Sequence, residues 1–368
     1  MTDGSQPASA SPLDAEDLRA RVDRALAALL HQELSALDFL GADAGPVTDA
    51  LTRFSLESGK RLRPGFVYWG YRGAGGPPDG PEAEAAVRAA CSVELLHVCA
   101  LIHDDIMDGS EVRRGRPAMH VGFATRHRAS AWRGDPAAFG EGAAMLMGDL
   151  AFTWADVALA DAGLPDDRLA ATLRVFNRLR SELMGGQYLD LLEARRGAPD
   201  EDAVRRVLTY KSGKYTIERP LHLGLALAAG PAGLAAAYSA YGLPLGEAFQ
   251  LRDDVLGVFG APEVTGKPAG DDLREGKETY LVLLARRQAG RAGRQLLESA
   301  LGNAKLSEDE VAEVRRVIDG CGALDATEAR IGELLAEAKA ALAATRGIDE
   351  QARATLAALA DHVTDRSA

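Results

Sequence analysis

The sequence predicts an all-α protein, a single large helical bundle around a central cavity. Alanine and leucine dominate a chain that is 47% hydrophobic but only 5% aromatic, a balance that favours helix. Apolar residues recur at three- and four-residue spacing along nearly the whole chain from Leu13 onward. No alternating β-branched segment of any length interrupts that period.

The elements follow in order. Residues 1–16 lack both a basic start and an apolar stretch, so they read as a disordered tail and not as a secretory signal. A domain over 17–366 follows. Helical spacing first covers 15–40 and is broken by GADAG; 46–58 begins a second helix. A loop rich in Gly and Pro at 72–81 precedes a long helix over 83–108. The loop at 128–140 leads to helices over 141–162 and 164–195, and RGAPD at 196–200 separates these from helices over 201–229 and 231–257. After a loop at 260–276 come helices over 278–302, 307–319, 324–345 and 348–364. The loops are short, and neither a linker nor a repeat divides the chain, which argues for one domain.

Composition narrows the function. A net charge of −12 speaks against nucleic acid as a partner, which wants a basic face. Cys91, Cys99 and Cys321 are scattered and show no CxxC spacing, so a reducing, cytoplasmic setting without disulfides is expected. The absence of a run of about 18 uncharged apolar residues predicts no membrane span.

Two acidic clusters carry the chemistry. Asp104-Asp105-Ile106-Met107-Asp108 closes the apolar run ELLHVCALI, and Asp253-Asp254 lies within AFQLRDDVLGVFG. An acidic helix face is usually solvated, but these flanks are too apolar for a surface run. Burying an unpaired charge is very costly, so the carboxylates need compensation. On a helix, residues i and i+4 share a face, so Asp104 and Asp108 project together. Hard oxygen ligands so placed suit Mg²⁺, which binds one or two carboxylates and recruits substrate phosphates. His97 lies two turns before Asp104 on the same stripe; the rival reading is a satisfied core histidine.

Positive charge comes in matching clusters: Lys60-Arg61-Leu62-Arg63, then Arg113 and Arg114, with Lys211, Lys214, Lys267 and Lys277 beyond. Arg forks fit phosphate oxygens and Lys supplies point charge. Neither GxxxxGK[ST] nor GxGxxG occurs, so diphosphates would be held by metals and side chains and not by a backbone cradle. Arg61 and Lys214 read as surface or ion-pair residues, Met145 and Met147 as core filler, and Asp271 and Asp272 as caps of a turn or supports for Lys267.

The order of SGKRLRP (58–64), LIHDDIMDGSEVRRGRP (101–117), MGDL (147–150), GGQYLD (185–190), YKSGKYT (210–216), FQLRDDVLG (249–257) and GKPAGDDLREGK (266–277) resembles the trans-isoprenyl diphosphate synthases, the polyprenyl synthetase family. The resemblance covers roughly residues 20–360 and implies the isoprenoid synthase type I fold, a homodimer and about three Mg²⁺ ions. It implies Asp104, Asp108 and Asp253 as metal ligands, with Asp105 and Asp254 orienting them. Lys60, Arg63, His97 and Arg114 would hold isopentenyl diphosphate; Arg113, Lys211, Lys267 and Lys277 would hold the allylic diphosphate. Ser212 and Gln250 would stand near the developing carbocation, and Gln187 and Asp190 fall in a further motif of uncertain role. The implied reaction is ionisation of the allylic diphosphate, condensation with isopentenyl diphosphate and loss of a proton.

One departure stands out. The family's second motif usually ends in a third aspartate, and Gly257 occupies that place. Product length is expected to follow Cys99 and Ala100, the positions five and four before Asp104. Bulky residues there stop the product early in this family, and both are small, which favours geranylgeranyl diphosphate. Farnesyl or longer polyprenyl diphosphate synthesis, a class I terpene cyclase and a non-catalytic subunit of a heteromeric synthase are the alternatives. The intact second diphosphate set speaks against the cyclase.

Overall fold

A computed structural model describes residues 11–57, 59–197, 200–262, 266 and 270–365. The described chain is helical throughout, apart from a hairpin in which Val112–Arg113 pairs with Arg116–Pro117. The helices are α1 (Leu18–Ser35), α2 (Ala44–Leu56), α3 (Leu62–Gly73), α4 (Gly80–Asp108), α5 (Met119–Ala129), α6 (Pro136–Ala160) and α7 (Asp166–Arg196). Then follow α8 (Glu201–Val207), a π-helical segment (Leu208–Glu218), α9 (Arg219–Leu227) and α10 (Gly233–Phe259). The C-terminal part comprises α11 (Asp271–Glu275), α12 (Tyr280–Gln288), α13 (Arg291–Ala300), α14 (Glu308–Gly320), α15 (Ala323–Ala344) and α16 (Glu350–Thr364).

Helix α4 runs through the middle of the bundle, with Val87, Ala90, Val93, Leu96 and Ile102 all buried. It packs most broadly on α6, and α10 packs on both the π segment and α15. By length and composition α4 and α6 could each cross a membrane, which the expectation from uncharged runs did not anticipate. Most of the apolar stretch of α4 is buried inside the protein, whereas less than half of that of α6 is.

Five expectations need correction. Residues 11–16, assigned to the tail, are packed: Leu13 is 1% exposed and Glu16 pairs with Arg72 at 3.2 Å. Residues 1–10 lie outside the described part. Helix α3 was missed because it is buried almost all round, so no amphipathic stripe marks it. Helix α5 was missed too; it is short and carries little apolar periodicity. The segment 278–302 breaks in two where Ala289 and Gly290 turn extended.

The segment 201–229 is not a single α-helix, because its middle widens into π turns just before Pro220. Pro lacks a donor and crowds the carbonyl four residues back, so a regular ladder could not run through it. π turns often mark functional sites. This one presses backbone to backbone on α10, since a Cβ at Gly246 would strike the Gly213 main chain.

Candidate active site

Helix α4 ends at Gly109, whose left-handed φ of 66° closes it one residue after Asp108. The acidic cluster thus sits at the negative end of the helix dipole, which raises its demand for positive charge. Gln187 Nε2 on α7 donates to Asp104 Oδ1 at 2.7 Å, and Lys211 Nζ reaches the same oxygen at 3.4 Å. Lys211 is itself held by Asp190 Oδ2 at 2.5 Å. Gly186 lets α7 come this close, because a Cβ there would overlap the Tyr210–Lys211 backbone. Burial opposes ionisation of Asp104, but Lys211, Lys277 and Arg113, with Gln187, outweigh it and hold the carboxyl below its ordinary value.

Asp105 faces the other way, fully buried, and grips the Arg113 guanidinium through Nε at 2.8 Å and through Nη2. Arg113 then lies 3.9 Å from Asp104. Lys277 Nζ stands 3.7 Å from Asp108 Oδ2, and that buried oxygen accepts no hydrogen bond among the described residues. Burial first, and the Asp104 charge second, push its carboxyl up to about 6.

Lys277 links the first cluster to the α11 segment, and its charge reaches Asp254 of the second. Lys277 Nζ meets Glu275 at 2.5 Å, Asp272 at 3.3 Å and Asp108 at 3.7 Å. Asp253 is half-buried on α10. Asp254 is 4% exposed and takes a 2.8 Å hydrogen bond from Gln250 Nε2, and burial drives its carboxyl up to about 8. The loops leaving the two clusters are stitched together: Ser110 Oγ donates to Glu275 at 2.6 Å, and Gly115 N donates to Gly266 O at 2.7 Å. A separate apolar cluster that includes Val258, Leu273, Leu281, Val314 and Ile318 seats this region.

Beside the acidic chamber lies a cationic group. Arg63 stacks over Tyr215 at 4.4 Å and donates to Thr216 Oγ1 at 3.1 Å. Arg114 donates to the Phe54 and Glu57 carbonyls at 3.2 and 3.1 Å. His97 packs near Tyr215; burial, then Arg63 and Arg114, hold it well below its ordinary value, so the ring stays neutral. Lys60 is exposed. A cavity of about 510 Å³ opens alongside, lined by Arg53, Arg113, Arg114, Arg116 and Arg126 with Phe54 and Phe123.

The donor set fits divalent cations. Asp104 and Asp108 share a face, Asp108 keeps a buried oxygen without a hydrogen bond among the described residues, and lysines supply the positive charge around them. Among the described residues no three acidic, His or Cys side chains already converge as a finished metal cage. Mg²⁺ characteristically completes its shell with water and substrate phosphate.

The polyprenyl synthetase family model matches residues 46–318. The chain belongs to the polyprenyl synthetase family. It is a trans-prenyltransferase of that family with the all-α isoprenoid synthase fold. It is 32% identical over 334 residues to the geranylfarnesyl diphosphate synthase of Aeropyrum pernix, covering 90% of this chain and 97% of that one. It is 35% identical over 323 residues to a (2E,6E)-farnesyl diphosphate synthase of Mycobacterium tuberculosis, covering 84% and 80%. The geranylgeranyl pyrophosphate synthase of Corynebacterium glutamicum, solved with isoprenyl diphosphate and magnesium, superposes with a TM-score of 0.91 at 37% identity, covering 96% of this chain and 100% of that one.

Within this polyprenyl synthetase, Asp104, Asp108, Lys211, Lys277 and Arg113 come together at one chamber, and Arg63, His97 and Arg114 gather beside it. Lys267 and Ser58 lie outside the described residues. Ser212 is buried in the π segment. Gln250 is tied to Asp254, and Asp105 to Arg113, so each acts first on a neighbouring side chain. Sequence reasoning missed Glu275 and left Gln187, Asp190 and Asp272 without firm roles; the GGQYLD and GDDLREGK segments were the available signal. Arg61, read as surface or ion pair, is a buried ion pair, bound to Glu94 at 2.5 Å and Asp23 at 2.7 Å. Lys214 pairs with Glu218 at 2.9 Å. Met147 is core, but Met145 is 51% exposed.

Proposed function

We propose that this synthase condenses isopentenyl diphosphate with allylic diphosphates, in the presence of about three Mg²⁺ ions, and stops at geranylgeranyl diphosphate. The observation that carries the reading is the pairing of two settings for anions. One is an acidic chamber ringed by Lys211, Lys277 and Arg113; the other is an arginine group around a neutral His97. One diphosphate bound through cations and one bound directly by guanidinium groups match those settings.

Asp104, Asp108 and Asp253 would hold Mg²⁺, which would supply charge stabilisation to the leaving diphosphate. Lys211, Lys277, Lys267 and Arg113 attract the same oxygens as negative charge builds, with Asp190 and Asp105 fixing two of these cations. The allylic C1–O bond breaks and the diphosphate leaves with the electron pair. The double bond of isopentenyl diphosphate, held by Lys60, Arg63, His97 and Arg114, attacks C1. A proton is then lost from its C2 to the released diphosphate. Ser212 and Gln250 offer polar atoms near the cation, and the apolar bundle interior excludes water.

For product length, Ala100 lies one turn below Asp104, about 6 Å along the helix, and buried Leu96 a further turn down. The small Ala100 and Cys99 leave room for a chain longer than farnesyl. A homodimer belongs to the same reading. The purified protein, given Mg²⁺, isopentenyl diphosphate and each of dimethylallyl, geranyl and farnesyl diphosphate, should release mainly a product of twenty carbons. Farnesyl diphosphate as the end product would overturn the length, and no condensation at all would overturn the reaction.

A further inference from the structure

We propose that Asp272, in the short helix α11 after the second acidic motif, is the third carboxylate of that motif, delivered across Gly257 to ligate a divalent cation together with Asp253. The proposal rests on the Mg²⁺–diphosphate reading of the site. Residue 257 lies four after Asp253, so the two share a helix face. A Cβ built on Gly257 would overlap the Asp272 carboxylate, with Oδ2 and Cγ as its nearest atoms. The carboxylate of Asp272 therefore occupies the ground that a side chain at 257 would need, and the glycine is what admits it.

Asp272 is held there and is not a stray surface acid. Its side chain is 16% exposed, and it belongs to α11, whose Leu273 is wholly buried in the apolar cluster below. The Lys277 amide donates to Asp272 O at 3.0 Å, and Lys277 Nζ lies 3.3 Å from Asp272 Oδ1 and 3.7 Å from Asp108 Oδ2. One ammonium thus joins Asp108 of the first motif to Asp272, and its charge also reaches Asp254 of the second. Asp254, 96% buried in the same turn of α10, has an Oδ2 that accepts no hydrogen bond among the described residues. A buried carboxylate oxygen left in that state beside Asp253 and Asp272 calls for a cation.

The role separates two substitutions that otherwise look alike. Gly257→Asp alone sets two carboxylates in one volume and should harm the site. The same change with Asp272→Ala should return one carboxylate to the chamber. Titration calorimetry of the full chain with inorganic diphosphate, at a series of Mg²⁺ concentrations, reads this without turnover. Asp272→Asn should weaken Mg²⁺-dependent diphosphate binding by about tenfold or more, as loss of a metal-supporting carboxylate does elsewhere. Its thermal midpoint without Mg²⁺ should stay at or above that of the wild type, because a chamber of like charges is relieved. Gly257→Asp should weaken binding, and Gly257→Asp with Asp272→Ala should bind more tightly than Asp272→Ala alone. Unchanged binding in Asp272→Asn, or a double variant no better than Asp272→Ala, overturns the proposal. Wild-type protein that binds no diphosphate in the presence of Mg²⁺ overturns the reading of the whole site.

Discussion

Three side chains converge on Asp104. Gln187 and Lys211 touch its Oδ1, and Arg113 stands near Oδ2. Replacing it with Asn keeps the shape and removes a charge that balances three cations. We expect Asp104→Asn to lower kcat/KM by about two to three orders of magnitude, the size of effect seen when one stabiliser of developing charge is removed. Near-normal steady-state kinetics would sink the assignment of Asp104 as a metal ligand. Ala100 makes a second test at this scale. On the proposed product length, a ring at this position would stand in the path of the third or fourth isoprene unit, and overpacking costs about 1–3 kcal/mol. Ala100→Phe should shift the product to farnesyl diphosphate while the first condensation stays fast; Leu96→Ala should lengthen it. Chromatographic sizing that gives the wild-type spectrum for both variants would place the floor of the cavity on another helix.

What the sequence made legible at this scale depends on contact distance. Asp104 and Asp108 could be read because their geometry is local to one helix. Arg61 could not be resolved, because its partners Asp23 and Glu94 lie 38 and 33 residues away. Asp272 escaped for the same reason: only the folded loop brings it over Gly257.

Among elements, the long helices were read to within a few residues, while α3, α5, the break at Ala289 and Gly290 and the π segment were not. A helix buried on every side has no polar face to set its period, and a widened turn looks like any helix in sequence. The π segment is fixed on one flank by α10 and on the other by α7, where Arg219 at the start of α9 binds Glu182 at 2.7 Å. Burial raises the Glu182 carboxyl, but Arg219 and Arg178 prevail and hold it at about 2, against an ordinary value of 4.5. A carboxyl depressed by folding stabilises the folded state above its unfolded value, and that stability is lost as pH falls toward the folded value. Between roughly pH 4.5 and 2 the wild type should therefore lose stability faster than Glu182→Gln. Denaturant midpoints measured across that range test it, and parallel curves for the two proteins would show that the pair contributes nothing.

For the whole molecule, the question left by the fold is what covers α6. Its length and apolar character are those of a core helix, yet much of it is bare, and Met145 and Leu146 are 51% and 61% exposed. On α7, Met184 and Tyr188 are exposed as well. Apolar surface of this kind marks an interaction site more often than it marks a monomer at rest. A second copy of the chain is the occupant proposed above, and it requires that the face pair with itself about a two-fold axis. Sedimentation equilibrium should then give twice the chain mass. Leu146→Glu should give the single chain mass, since a charge on a self-complementary face is buried twice. The acidic chamber faces α7 and α10 and is built by one chain, so the monomer should keep Mg²⁺-dependent diphosphate binding while losing thermal stability. A wild-type protein that sediments as one chain would refute the dimer, and binding of that protein to lipid vesicles would assign the α6 face to a membrane surface instead.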